Sequence, residues 1–414
     1  MVPPFRSIAS RWRRPPAVYA EEETTRHATW MELFFDLVFV VAIAELGRHL
    51  HDNLAMTGLV TFAWLFLLVW WIWLAYNYYA DIFDTEDTVS RVALVVVMFL
   101  MIFLSQTVDG VFHGNSLPFG VGLVALRGIL TLLYLRERFE ETDAGTFFTY
   151  WTGSEIITTL ILVVALFVPV PGRFGLWLAA YVINTAGVFV LYLVFEPVII
   201  QASHFPERLG LMTIIVLGET ILAVAFGTTL VSPDGSIAFR SYLIGAVAFA
   251  VAVAMWWLYF ERFDERFIDR ILQIRDESWL QARENGLLYV FSHFPIHIGI
   301  VAIGVGITVA IDAEIHGHAL SMLGLLVLCS GVVAFLVGIT VCHRMLPRRI
   351  HDRLVFARVG GAGIVLAIPV VAPSLSPLAI VTTIALVLVG LVVLEGRGPP
   401  SDEVESQVDV GRTT

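Results

Sequence analysis

From residue 31 to residue 395 the chain is a succession of apolar runs, each about twenty residues long, parted by short polar breaks. This feature narrows the choice of fold more than any motif does. In a bilayer, a backbone N–H or C=O without a partner is too costly to leave exposed, so spanning segments are helices or closed barrels. A helix needs about 20 apolar residues to cross, whereas a barrel strand needs about ten that alternate. The runs match the helix. The expected fold is all-α, a polytopic transmembrane helix bundle. Composition agrees: 58% of residues are hydrophobic, against roughly 45–50% in soluble domains, and mean hydropathy is +0.82.

The runs lie near residues 31–50, 57–80, 89–112, 117–137, 153–171, 173–195, 207–230, 237–260, 285–311, 318–343, 350–372 and 375–395. That predicts about twelve transmembrane helices. The breaks carry turn chemistry: His51-Asp52-Asn53, Asn115 with Pro118, Pro169 with Pro171-Gly172, Pro233-Asp234-Gly235, and Pro373 to Pro377. Residues 1–26 are polar, hold Arg6, Arg11, Arg13, Arg14 and Arg26, and lack the apolar core of a signal peptide. They are read as a cytoplasmic tail. Residues 396–414 are read as a second, disordered one.

Arginine placement tests the count, because cytoplasmic loops are the basic ones. Arg136, Arg138, Arg262 to Arg283, and Arg344 to Arg353 fall on one side; Arg48, Arg173 and Arg240 fall on the other. This predicts a cytoplasmic-membrane protein with both termini inside. In residues 261–285, Phe263, Phe267, Ile271, Ile274 and Leu280 recur at helical spacing among charges. That segment reads as a cytoplasmic amphipathic helix on the membrane face, or as an extension of the eighth span. Beyond the lipid bilayer, a homo-oligomer is possible. The net charge of −11 argues against a nucleic-acid partner. Cys329 and Cys342 share one apolar run and suggest no disulfide framework.

The halves echo each other. Glu32 opens the first span with Glu45 inside it, and Glu207 opens the seventh with Glu219 inside it. Trp70-Trp71-Ile72-Trp73 ends the second span as Trp256-Trp257-Leu258-Tyr259 ends the eighth. Proline pairs close the fifth and the eleventh. We therefore expect two six-helix repeats, residues 27–200 and 201–395, related by an axis along the membrane normal. Folds of this kind often bind near mid-membrane.

Ionisable groups inside spans are expensive and mark candidate sites. They include Asp36, Glu45, Arg127, Glu155, Glu219, His293, His297 and Arg358. Glu32 stands four residues before Asp36, on the same helix face. Glu219, in Leu217-Gly218-Glu219-Thr220, lies deepest. Glu219 and Asp36 are expected to bind a coupling ion or a small solute, with Arg127 and Arg358 neutralising the acids. His293 and His297 could relay protons or pack helices; without a third ligand they predict no metal site. The tryptophan clusters read as interfacial belts. Residues 81–87 are acidic, which suits either a cation-gathering mouth or a helix N-cap. No phosphate loop, His-Glu-x-x-His or Gly-x-Ser-x-Gly elbow is present, so neither an enzyme nor a cofactor is expected. The reading is a secondary transporter or a cation or proton pathway. The alternative is a membrane sensor or scaffold whose buried charges are structural.

Two motifs are distinctive: Glu32-Leu33-Phe34-Phe35-Asp36-Leu37-Val38-Phe39-Val40, and Glu207-Arg208-Leu209-Gly210-Leu211-Met212-Thr213-Ile214-Ile215-Val216-Leu217-Gly218-Glu219. Together they resemble the bacterial low temperature requirement A (LtrA) family, from about residue 27 to residue 395. The resemblance implies a polytopic membrane protein of a family named for growth in the cold, with no established substrate. Phe35 to Ile43 is also similar to the opening run of lysosomal-type potassium channels built from six-helix units. Here Phe34-Phe35 replaces that family's Phe-Ser, and the second half has no matching run.

Overall fold

The computed structural model describes residues 29–83, 87–136, 143–194, 204–228, 239–261, 279–343 and 348–396. Among these residues there is no strand, and twelve long helices follow one another. They are α1 Trp30–Asp52, α2 Met56–Ile82, α3 Thr88–Gln106 (continued by the single turn Val108–Phe112), α4 Leu117–Arg136, α5 Asp143–Ala165, α6 Gly172–Val194, α7 His204–Gly227, α8 Phe239–Phe260, α9 Trp279–His316, α10 Met322–Cys342, α11 Arg348–Val371 and α12 Pro377–Gly396. Eleven are long and apolar enough to cross a membrane. The exception is α1, whose 23 residues suffice in length but include Glu32, Asp36, Glu45 and Arg48.

Local chemistry starts and stops these helices. Thr29-Trp30-Met31-Glu32 is a capping box. The Thr29 N–H donates to Glu32 Oε2 at 2.8 Å, and the Glu32 N–H donates to Thr29 Oγ1 at 3.3 Å. Asp87 caps α3 by accepting from the Val89 and Ser90 amides at 2.9 and 3.2 Å. Ser321 caps α10, accepting from Gly324 N at 3.1 Å. Pro377 opens α12, where a missing N–H costs nothing, and Glu314 takes the next amide, Leu378 N, at 3.1 Å. Gly317 ends α9 at φ 69°, which favours glycine.

Most boundaries fall within a few residues of the apolar runs. The fifth does not: α5 covers Asp143–Ala165 where the hydropathy predicts 153–171. Its first turns are aromatic and polar rather than aliphatic. Phe148 packs on Phe83 and Trp151 on Tyr78, with ring centroids 5.3 and 5.9 Å apart. Beyond Ala165 the chain turns before Pro169 and Pro171. The two tails, residues 1–26 and 397–414, and residues 262–278 of the amphipathic segment lie outside the described residues.

The chain divides into two compact units. One takes residues up to His49 together with Val60–Met212; the other takes Leu50–Leu59 and everything from Thr213 onward. The first unit has an aromatic core, with Trp70, Trp73, Trp177, Tyr134 and Phe83 all enclosed. In the second, α9 and α10 meet through glycine. A Cβ on Gly331 would stand 2.9 Å from the Gly299 carbonyl oxygen, and one on Gly338 would stand 2.9 Å from that of Ser292. Helices in lipid gain contact by such close backbone approach, because apolar burial gives them little.

Candidate functional site

In the first unit, Asp36 is fully enclosed. Arg208, in the first turns of α7, donates to it from Nε at 3.2 Å and from Nη2 at 2.8 Å. The Trp73 indole N–H, from α2, donates at 2.8 Å. Arg208 also reaches Glu32, with Nη1 3.6 Å from Oε1 and Nη2 3.5 Å from the backbone oxygen. The Glu32–Asp36 face is therefore real, and its cation is Arg208. A bidentate pair with a third donor satisfies both oxygens of a carboxylate kept away from water.

Arg127 is committed elsewhere. From mid-α4 it donates to Glu155 of α5 through Nη1 at 3.2 Å and to Asn184 of α6 through Nη2 at 2.9 Å. Asn184 closes the triangle by donating to Glu155 at 2.8 Å, and it accepts from the Trp71 indole at 2.9 Å. The guanidinium carbon lies 3.5 Å above the Trp71 ring, a cation–π contact. All four residues stand near the middle of their helices.

Glu45 pairs with its own helix. Arg48 Nη2 lies 2.6 Å from it and His49 Nε2 lies 3.2 Å away. Glu207 is the acid of the first turn of α7, where the positive end of the helix dipole favours it. In the acidic run 81–87, residues 84–86 lie outside the described residues; Asp87 is the N-cap of α3, and Arg136 Nη2 binds it at 2.8 Å. Burial alone would raise its pKa, but hydrogen bonds from Arg136 and Ser90 prevail and lower it.

In the second unit, Arg358 holds Glu395 of α12 by a fork, from Nε at 2.8 Å and from Nη2 at 2.7 Å. Its Nη1 donates to the Ile339 carbonyl at 3.0 Å. The expectation that Arg127 and Arg358 would neutralise Asp36 and Glu219 is thus replaced by three separate pairings. Each cation found the carboxylate that packing brought to its own depth.

Glu219 differs from these acids. It is half-buried on α7, about 20 Å from one end of its span and about 12 Å from the other. Among the described residues it has no hydrogen bond and no ion pair. Beside it, Gly218 faces open space, with nothing within 4 Å of where a Cβ would stand. A Cβ on Gly304 of α9 would stand 3.6–3.7 Å from the Glu219–Thr220 backbone.

His293 and His297 are both fully enclosed, with ring centroids 5.8 Å apart. His293 Nε2 lies 2.8 Å from the Tyr259 hydroxyl and Nδ1 lies 2.8 Å from the Tyr289 carbonyl. His297 Nε2 lies 3.0 Å from Thr213 Oγ1. No cluster of three metal-ligating side chains occurs among the described residues.

Hydropathy and charge did not single out Arg208, Asn184, Trp71, Trp73, Tyr259 or Thr213. Arg208 was legible as an arginine one turn inside a span. Asn184 was legible as the amide in the apolar run of α6. Trp256 and Trp257 are exposed, as a belt requires, whereas Trp70, Trp71 and Trp73 are buried and do not form one. An indole N–H is a donor that an interior carboxylate or amide can use.

A protein of Rhizobium meliloti (strain 1021) described only as uncharacterised is 29% identical over 384 residues, covering 89% of this chain and 88% of its own length. No solved structure matches. The family model for the bacterial low temperature requirement A protein (LtrA) matches residues 27–393, which include the Asp36–Arg208 pair, the Arg127 triangle and Glu219. The chain belongs to the LtrA family.

Proposed function

We propose that the protein is a secondary transporter or a cation or proton pathway, with Glu219 as the carboxylate that exchanges the ion. The observation that carries this reading is the contrast among the buried acids. Asp36, Glu155 and Glu395 are each engaged by an arginine. Glu219, deep in an apolar span, has no partner among the described residues and sits beside open space at Gly218. A carboxylate kept without a counter-charge at that depth is expensive, and such groups mark ion pathways. Asp36 carries less weight in this reading than the sequence suggested, because Arg208 and Trp73 occupy its oxygens.

The test is flux in vesicles reconstituted with the purified protein, screened across protons, alkali cations and amino acids. Flux that depends on Glu219 supports the proposal; no flux of any of these solutes sinks it. A second reading, a sensor or scaffold with structural charges, draws on the Arg127–Glu155–Asn184 triangle and the Arg358–Glu395 fork, each of which joins side chains of different helices.

The proposal includes placement in a bacterial cytoplasmic membrane with both termini inside, as the arginine pattern suggests. It also includes two six-helix repeats related by rotation about the membrane normal. Cysteine labelling at Ser278 and Ser401 from the outside would refute the orientation.

A further inference from the structure

From Thr213 to Gly227, α7 has one packed side and one bare side. Thr213, Val216, Leu217 and Thr220 are buried. Around the helix from them, Ile214 and Ile221 are exposed, and Gly218 between them faces open space. Leu222 and Phe226 stand three and seven residues beyond Glu219, on its own side of the helix. Both are exposed, Phe226 by 84%. The half-buried Glu219 therefore lies at the edge of the bare side, well inside the span.

Hydrocarbon suits the apolar residues of this face but not the carboxyl among them. Ionisable groups in spans face protein or water, because lipid solvates them poorly. Glu219 has no partner among the described residues of its own chain. Gly218 beside it lets a second helix backbone come close.

We propose that a second copy of this chain covers this face, α7 against α7, so that the two Glu219 carboxyls form one ion site between the copies. The inference rests on the reading of Glu219 given above. Symmetry selects the partner. In a two-fold pair with its axis along the membrane normal, the same surface meets itself, and each residue lies at the depth of its own copy. Glu219 needs a neighbour at its own depth that complements a carboxyl, and another carboxyl does so. The protonated form has a donor and an acceptor, and the ionised form accepts. Two carboxyls holding one proton make a charge-assisted hydrogen bond across the axis. Their four oxygens also enclose a small cation on two sides, where one carboxylate offers only one. An unrelated membrane protein would need a matching polar group at that depth by coincidence, whereas a copy brings it by construction. Close approach at Gly218 then sets Leu222 and Phe226 against the facing helix, and these side chains keep lipid from the pair.

The test uses the full chain in nanodiscs and vesicles of phosphatidylethanolamine and phosphatidylglycerol. Native mass spectrometry should show a dimer. Leu222→Cys should give a disulfide-linked dimer on mild oxidation, and Val359→Cys, exposed on α11, should not. Gly218→Leu fills the space where the helices meet. It should be monomeric, with folded yield unchanged and flux cut at least tenfold. Glu219→Gln keeps a donor and an acceptor, so it should stay dimeric and lose flux. A wild-type monomer whose flux depends on Glu219 would overturn the dimer and leave the Glu219 reading standing. A dimer linked through Val359 and not Leu222, or a Gly218→Leu protein that stays dimeric, would overturn the α7 interface in the same way. A dimer linked through Leu222 whose flux is unchanged in Glu219→Gln would overturn the shared ion site together with the Glu219 reading. A monomer without flux would overturn both.

Discussion

Arg208 binds both carboxylate oxygens of Asp36, Oδ2 from Nε at 3.2 Å and Oδ1 from Nη2 at 2.8 Å. The two residues are 172 positions apart in the chain, so this pair fastens the start of α7 to α1. It also explains how α1 tolerates two acids in its first turns. Glu32 is spent on the capping box and on Arg208, and Asp36 is matched charge for charge.

Removing one partner should therefore cost more than removing both. Arg208→Ala leaves Asp36 enclosed without its cation, a loss of roughly 3–5 kcal/mol. The double variant Asp36→Asn with Arg208→Gln should recover much of it. Thermal unfolding of detergent-solubilised protein checks this. An Arg208→Ala protein that melts with the wild type would show the pair to be idle.

The α9–α10 contact makes a second prediction. Gly331→Ala places a methyl 2.9 Å from the Gly299 oxygen, and overpacking of this kind costs about 1–3 kcal/mol. Gly363→Ala on α11 meets nothing within 4 Å and should be neutral or slightly stabilising. Equal melting temperatures for the two variants would contradict the packing account.

Asp87 predicts an acid-side effect. Its folded pKa is lowered below the ordinary 3.8, since the Arg136 and Ser90 bonds outweigh burial. The stability it adds is fully present above the ordinary value and is lost as pH falls through the lower folded one. Asp87→Asn removes this dependence and should cost about 1 kcal/mol at neutral pH, from the lost ion pair with Arg136, since asparagine caps as well as aspartate. Melting temperature against pH, for both proteins, is the measurement. Parallel curves down to about pH 3 would refute it.

Apolar periodicity made the helices legible, because a lipid-facing run has to be long and unbroken. It failed at α5, whose entry is built from Phe147, Phe148 and Trp151 packed on other aromatics, which hydropathy underweights. The candidate acids were legible from their cost in lipid. Their partners were not. Which arginine meets which carboxylate depends on depth and on which helices touch, so Arg127 went to Glu155 and Arg358 to Glu395. The tryptophans of α2 were misleading for a related reason. Interior and interfacial indoles look alike in sequence, and only the presence of Asp36 and Asn184 opposite distinguishes them.

The central claim is that Glu219 exchanges an ion, and Glu219→Gln tests it most directly. Glutamine keeps the size and removes the charge, and no arginine among the described residues is left stranded by the change. Folded yield and vesicle flux should be measured on one preparation. The account predicts wild-type yield and melting with flux abolished. A well-folded Gln variant with full activity would contradict it.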